Sequence, residues 1–200
     1  MLQFKKSVSS LLAAAALSAL SAHASAGVTY YTSQSDYAAA LASSTTETFD
    51  STPLASGLSF VSNAGSVGGG LFNDRVVIGS ATTTFSFGGD VNGFGGFFDE
   101  SPGGWGQGLA FTLTLANGST EVLSQHLDQD GGSFFGFIST DAFSSVKLTG
   151  GNESNGVAET YNVDNVQFGS LSTVPENGSM AMLLAGLGML GVVARRRAGK

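Results

Sequence analysis

The sequence has no cysteine, three prolines, one tryptophan and few charges: Asp, Glu, Lys and Arg together fill 12% of its 200 positions. Without cysteine there is no disulfide, no thiol nucleophile and no thiolate-held metal, so stability must come from packing, hydrogen bonds or an oxygen-coordinated cation. Cations are scarcest in the middle of the chain. Lys5, Lys6, Arg195, Arg196, Arg197 and Lys200 all lie near the ends, leaving Arg75 and Lys147 against fourteen carboxylates from Asp36 to Asp164, a net of −12. Such a field attracts cations and repels polyanions, which argues against nucleic acid as a partner. Catalytic motifs are also missing. There is no Gly-x-Ser-x-Gly elbow to pair with His126, and Gly93-Phe94-Gly95-Gly96 lacks the Gly-Lys-Ser/Thr of a phosphate loop. Asp99 and Glu100 are adjacent, so on a strand they point to opposite faces and cannot flank one glycosidic bond.

What the sequence does have is glycine, at 29 positions, and hydrophobic residues at 42%, with fifteen phenylalanines. That mixture is too apolar and too aromatic for a disordered chain, and the length between the end segments suits one domain.

Both ends carry membrane-directed patterns. Lys5 and Lys6 precede an apolar run from Val8 to Leu20, and small residues at Ala24 and Ala26 precede Gly27. Residues 1–26 are therefore expected to form a signal helix handled by the Sec export machinery and cut at Ala24 or Ala26. At the other end, after a short linker at 171–173, Val174-Pro175-Glu176 leads into a charge-free stretch from Met180 to Ala194 and then Arg195-Arg196-Arg197. A helix over about 179–194 would rise roughly 24 Å, a marginal fit to a hydrocarbon core of about 30 Å. Arginines at its far flank place that flank in the cytoplasm and the body across the membrane.

Taken together, Val-Pro-Glu near the C-terminus, a short Gly- and Leu-rich apolar helix and a terminal arginine cluster resemble the PEP-CTERM sorting signal, here over 174–200. That resemblance implies recognition by exosortase, an intramembrane cysteine transpeptidase of Gram-negative bacteria that make exopolysaccharide. Pro175 and Glu176 then fall in the recognition motif with Val174, while Arg195, Arg196 and Arg197 stop transfer. The second proline of the family pattern is replaced by Asn177.

Between the ends, residues 27–170 read as all-β. Val28-Thr29-Tyr30-Tyr31 is a strand, and Ser33 followed by Asp36 caps one short helix over Tyr37-Ala38-Ala39-Ala40-Leu41. From Glu47 onward, apolar or threonine-rich runs alternate with Gly, Asn and Asp. Strands are expected at Thr46 to Phe49, Arg75 to Ile78, Thr82 to Phe87, Val91 to Phe98, Leu109 to Leu115, Glu121 to Gln125, Phe134 to Ile138, Phe143 to Leu148 and Thr160 to Phe168. Asn117-Gly118 supplies a hairpin turn, and the stretch from Phe60 to Gly70 reads as a loop. The count and spacing favour an antiparallel β-sandwich. Trp105 sits in the glycine-rich segment 101–108, where its indole offers a platform for a sugar ring, with Gln107, Asp99 or Glu100 to hydrogen-bond hydroxyls.

The body resembles jelly-roll domains of the carbohydrate-binding-module type through Phe134-Phe135-Gly136-Phe137, Phe143-Ser144-Ser145-Val146 and the closing run from Tyr161 to Phe168, which contains Asp164-Asn165. Such sandwiches recurrently hold a Ca²⁺ near an early carboxylate-bearing strand. Carried onto this chain, the resemblance offers Glu47, Asp50 and Asp164 as Ca²⁺ ligands, hard oxygens of the kind that ion takes. The expectation is a non-enzymatic exported protein, sorted to the cell surface or extracellular matrix, transiently anchored by its tail, whose β-sandwich binds exopolysaccharide. A secreted hydrolase acting on polysaccharide and a purely structural matrix protein stand as alternatives. Mass spectrometry of the mature C-terminus tests the sorting expectation: the chain should end near Glu176, and an intact Arg195 to Lys200 terminus in cells with active exosortase would overturn it.

Overall fold

A computed structural model describes residues 27–104, 108–123, 127, 131–151 and 158–171. The cleavage positions Ala24 and Ala26, the motif Val174, Pro175 and Glu176, the arginines Arg195, Arg196 and Arg197, and also Trp105, Gln107 and His126 lie outside the described residues. Among the described residues, no helix is long and apolar enough to cross a membrane.

Ten strands and one helix follow in order: β1 (Val28–Tyr31), α1 (Gln34–Ala40), β2 (Ser43–Glu47), β3 (Leu58–Ser62), β4 (Ser66–Gly68), β5 (Leu71–Val77), β6 (Thr83–Gly104), β7 (Leu109–Leu115), β8 (Thr120–Val122), β9 (Ser133–Gly150) and β10 (Ala158–Ser170). All pairings are antiparallel. Hydrogen bonds join the strands into one continuous sheet, but β6 and β9 each contribute one half to each of two layers. Their first junction pairs Thr83–Ser86 with Leu148–Ser145, flanked by β3 on one side and β7 and β8 on the other. Their second pairs Gly93–Phe98 with Ile138–Ser133, flanked by β10, β5 and β2 on one side and β1 on the other. Register breaks between Ser86 and Val91 and between Val91 and Gly93 separate the two junctions, where Gly88, Gly89 and Asp90 are exposed. A bulge increases twist and bends a strand, and here it turns both strands from one layer into the other.

The core is the space between the layers, and phenylalanine fills it. Phe72 on β5 meets Phe85 on β6 and Phe60 on β3 at ring separations of 5.2 and 4.8 Å. Phe111 on β7 meets Phe135 and Phe137 on β9 at 5.5 and 5.8 Å. Edge-on and stacked contacts of this kind add about 0.5–1.5 kcal/mol each beyond the area they bury. One carboxylate sits among them. Asp74 on β5 is 4% exposed and accepts hydrogen bonds from the hydroxyls of Ser62 (β3), Thr83 (β6) and Tyr161 (β10) and from the amide of Arg75. These donors come from both layers, so the anion ties them together where a hydrophobic side chain would only fill space.

Several sequence expectations need correction. The stretch from Phe60 to Gly70 is not a loop but holds the end of β3 and all of β4. Its serines and glycines are tolerated because both strands lie at sheet edges, where one side of the backbone stays solvated. The separate strands at Thr82 to Phe87 and Val91 to Phe98 are one strand, as are those at Phe134 to Ile138 and Phe143 to Leu148. The strand expected at Thr46 to Phe49 ends at Glu47, because Phe49 takes a left-handed φ of 53° with its amide donating to the Glu47 carboxylate. The hairpin at Asn117-Gly118 is present: the Gly118 amide donates to the Leu115 carbonyl and Gly118 carries a φ of 84°.

Both ends of the body meet at the turnover between layers. The Gly27 amide donates to Thr140 Oγ1 at 2.9 Å, and the Leu171 amide donates to Asn92 Oδ1 at 3.2 Å, while Asn92 Nδ2 donates to the Ser139 carbonyl.

Burial raises the phenol pKa of Tyr161 well above its ordinary value, with the adjacent Asp74 charge adding to the shift. A phenol whose pKa is raised by folding holds its proton more tightly in the folded state. Its stabilisation is therefore complete below the unfolded value of about 10 and is lost as pH rises past it. The urea midpoint should stay flat to about pH 9 and fall above about pH 10. Tyr161→Phe should lie about 1 kcal/mol lower at neutral pH and fall less steeply above pH 10; parallel curves would contradict this.

Candidate functional site

The outer face of the layer built on β10, the second half of β6 and the first half of β9 divides into a covered part and an open part. Ser33 starts α1 by accepting from the Asp36 amide, and the helix lays Tyr37 onto the strands beneath. Tyr37 is fully buried and donates to the Gln167 carbonyl at 3.0 Å, and burial pushes its phenol pKa far up. Glycine makes this close approach possible. A Cβ at Gly93 would stand 2.7 Å from the Tyr37 hydroxyl, and one at Gly95 would stand 2.9 Å from Gly136 Cα. The outward row of β6 is thus glycine under the helix and changes to Phe97 and Asp99 beyond it.

Beyond the helix a groove of about 360 Å³ opens, lined by Leu71, Phe97, Asp99, Gly132, Asn162, Asp164 and Asn165. Sheet register explains the arrangement. Asp99 pairs with Asn162 and Phe97 pairs with Asp164, so two neighbouring rungs of β6 and β10 form the floor. Paired Cβ atoms stand about 4.5–5.5 Å apart and diagonal ones about 7–8 Å, which sets the spacing between the Asp99 and Asp164 side chains. A bulge between Asp164 and Gln167 places Asn165 at a φ of 48°. Asparagine tolerates that conformation, and the bulge adds a second amide to the rim.

Both carboxylates are held in place. Asp99 Oδ1 accepts from the amides of Ser101 at 2.9 Å and Gly131 at 3.1 Å. Hydrogen bonds from Ser101, side chain and backbone, and from the Gly131 amide pull its carboxyl pKa below the ordinary value, so it stays anionic into acid. Asp164 accepts from the backbone and side-chain nitrogens of Asn165. Phe97, half-buried, packs edge-on against Phe134 with rings 5.5 Å apart. The site therefore offers an aromatic ring, two carboxylates and two amides on a rigid sheet, a set suited to hydroxyl-bearing ligands.

The residues expected to hold Ca²⁺ fall differently. Glu47 is 5% exposed, and its carboxylate oxygens accept from the amides of Phe49 and Ala55, closing the turn after β2. Asp50 lies beside Gly70, and Asp164 is in the groove. No three acidic or histidine side chains converge to hold a metal among the described residues. Glu47, Asp50 and Asp164 therefore do not come together as one set of oxygen ligands. The expected sugar platform, Trp105 with Gln107, lies outside the described residues. Of its supporting acids, Asp99 is in the groove, while Glu100 is 7% exposed, alternating inward as strand geometry requires.

Nothing in the sequence pattern singles out Phe97, Asn162 or Asn165 as site residues. The period-2 signal alone places Phe97 opposite Phe98, so one of the pair had to face outward. Asp164-Asn165 was flagged, but its partner strand could not be known without the register.

Set beside known proteins, the body is an antiparallel β-sandwich that resembles carbohydrate-binding modules. A structure described as carbohydrate binding module family 29 aligns with a TM-score of 0.47 at 10% identity, over 64% of this chain and 90% of that one. A CBM29-2 mutant complexed with cellulohexaose aligns at 0.47 and 12% identity, over 65% and 94% of the two chains. Another, complexed with mannohexaose, aligns at 0.46 and 11%, over 64% and 93%. At such values the likeness says nothing of what this chain binds. No curated protein sequence matches the chain. The tail is more specific: residues 173–197 match the PEP-CTERM protein-sorting motif, which marks an exported protein.

Because the carboxylates do not converge, excess chelator should leave the melting temperature within about 1 °C of its value in Ca²⁺. A fall of several degrees would mean that backbone carbonyls complete a shell around one of these acids.

Proposed function

We propose that the protein is a non-enzymatic glycan-binding protein, carried across the inner membrane by the Sec machinery, processed by exosortase and delivered to the cell surface or the exopolysaccharide matrix. The groove beside α1 carries this reading. Phe97 supplies an apolar face for a sugar ring, and Asp99, Asp164, Asn162 and Asn165 surround it with acceptors and donors, the two carboxylates already oriented by backbone hydrogen bonds. Groups fixed before binding lose little freedom when a ligand arrives, which is how a shallow site on a sheet gains useful affinity.

A hydrolase acting on polysaccharide would use two carboxyls across the scissile bond, one of them kept protonated to serve as the acid. Of the two groove carboxyls, Asp99 is shifted toward the anion, the wrong direction for the acid. Binding without turnover is the better account. A purely structural matrix role would need no such convergence of polar groups around an aromatic ring.

Retention on exopolysaccharide from the producing cells provides the test. Phe97→Ala, shown by its melting curve to be folded, should weaken binding about fivefold, near 1 kcal/mol. Retention equal to the unsubstituted protein would remove the groove from the proposal.

A further inference from the structure

Resting on the reading of the groove as a glycan site, we infer that its ligand is a polycationic glycan, one whose sugars carry free amino groups. The groove's lining contains two carboxylates and no cation. Asp99 and Asp164 stand diagonally across neighbouring rungs, about 7–8 Å apart at Cβ, with Phe97 paired to Asp164 and two residues from Asp99 along β6. An ammonium group between them meets two anions and the face of an aromatic ring, three attractions that a hydroxyl draws on only in part.

The surroundings reinforce the choice. Asp99 is fixed as an anion by hydrogen bonds from Ser101 and Gly131, so the groove does not shed its charge to admit an acidic sugar. Neither cation of the body lines the groove: Lys147 pairs with Thr84 and Thr112 in the other layer, and Arg75 lies opposite Thr160 on β5, beyond Asn73. With the body at −12, the potential over the groove excludes uronic, sulfated and phosphorylated polymers and concentrates cationic ones. Asn162 and Asn165 remain to hydrogen-bond ring hydroxyls, so the site reads both the charge and the sugar.

Titration calorimetry of the full secreted protein with three hexasaccharides of one backbone tests this: β-1,4-linked glucosamine, its fully N-acetylated form, and the neutral glucose hexamer. The glucosamine hexamer should bind about fivefold more tightly than either other, the equivalent of one partly exposed ion pair. The advantage should shrink toward unity as NaCl rises from about 0.05 to 0.5 M. Asp164→Asn should bring the affinity ratio of the glucosamine to the neutral hexamer to within about twofold, whatever it does to the affinity for both; Asp99→Asn is the second variant should the first unfold, and an unchanged ratio in the folded variant would overturn the assignment. Equal binding of all three hexamers would overturn the amino-sugar assignment and leave the glycan groove standing. Failure of all three to bind would overturn both. Equal competition by spermine would show a cation trap without sugar recognition, and would also overturn the assignment.

Discussion

The structure depends on the pairing of β6 with β9. These two strands are hydrogen-bonded to each other in both layers, so neither layer has a complete set of neighbours without them. The other strands are added at their margins: β3, β7 and β8 around one half, β10, β5, β4, β2 and β1 around the other. A chain without disulfides has no covalent means of holding two sheets face to face. Here continuity of two strands, interlayer phenylalanines and the hydrogen bonds converging on Asp74 perform that task.

The same pairing builds the outer face. Register between β6 and β9 sets Gly95 against Gly136, which leaves room for α1, and register between β6 and β10 sets Asp99 against Asn162, which forms the groove. Cover and opening thus differ by only two residues along a single row of β6, where glycine gives way to Phe97. Polar groups at that boundary are rigid because they belong to central strands and a bulge, and a site on central strands keeps its geometry better than one on loops.

Much of the architecture was legible in the sequence. Alternation of Phe111, Leu113 and Leu115 with threonines gave β7 its inner face, and Ser33 with Asp36 announced the helix. The points of failure have physical reasons. In β3 the alternation of Leu58 and Phe60 with Ser59 is too short to stand out, and β4 has three residues of which only Val67 is apolar, so the stretch reads as a loop. Breaks at Gly88-Gly89 and around Thr140 look like turns, whereas the strands bend there and continue. For the site, Asp164-Asn165 stood out by composition, but its groove is assembled from residues 60 or more positions apart in sequence, and only register brings them together. Glu47 carried the acidic character of a ligand, yet its location at the end of an edge strand gave it a local task in the backbone.

Thr140 holds the first residue of the body and Asn92 holds the last, and the two meet within a single hydrogen-bonded patch through Ser139. The domain is therefore closed like a loop, with entry and exit side by side. A chain tethered at both flanks can complete its fold without drawing either flank through or around the sandwich, and severing one tether leaves the geometry of the other undisturbed. β10 ends in that patch, and six residues separate Asp164 from Ser170, a distance of about 20 Å. The groove stands off from the exit at Leu171 by that length, like a bracket set close to a wall.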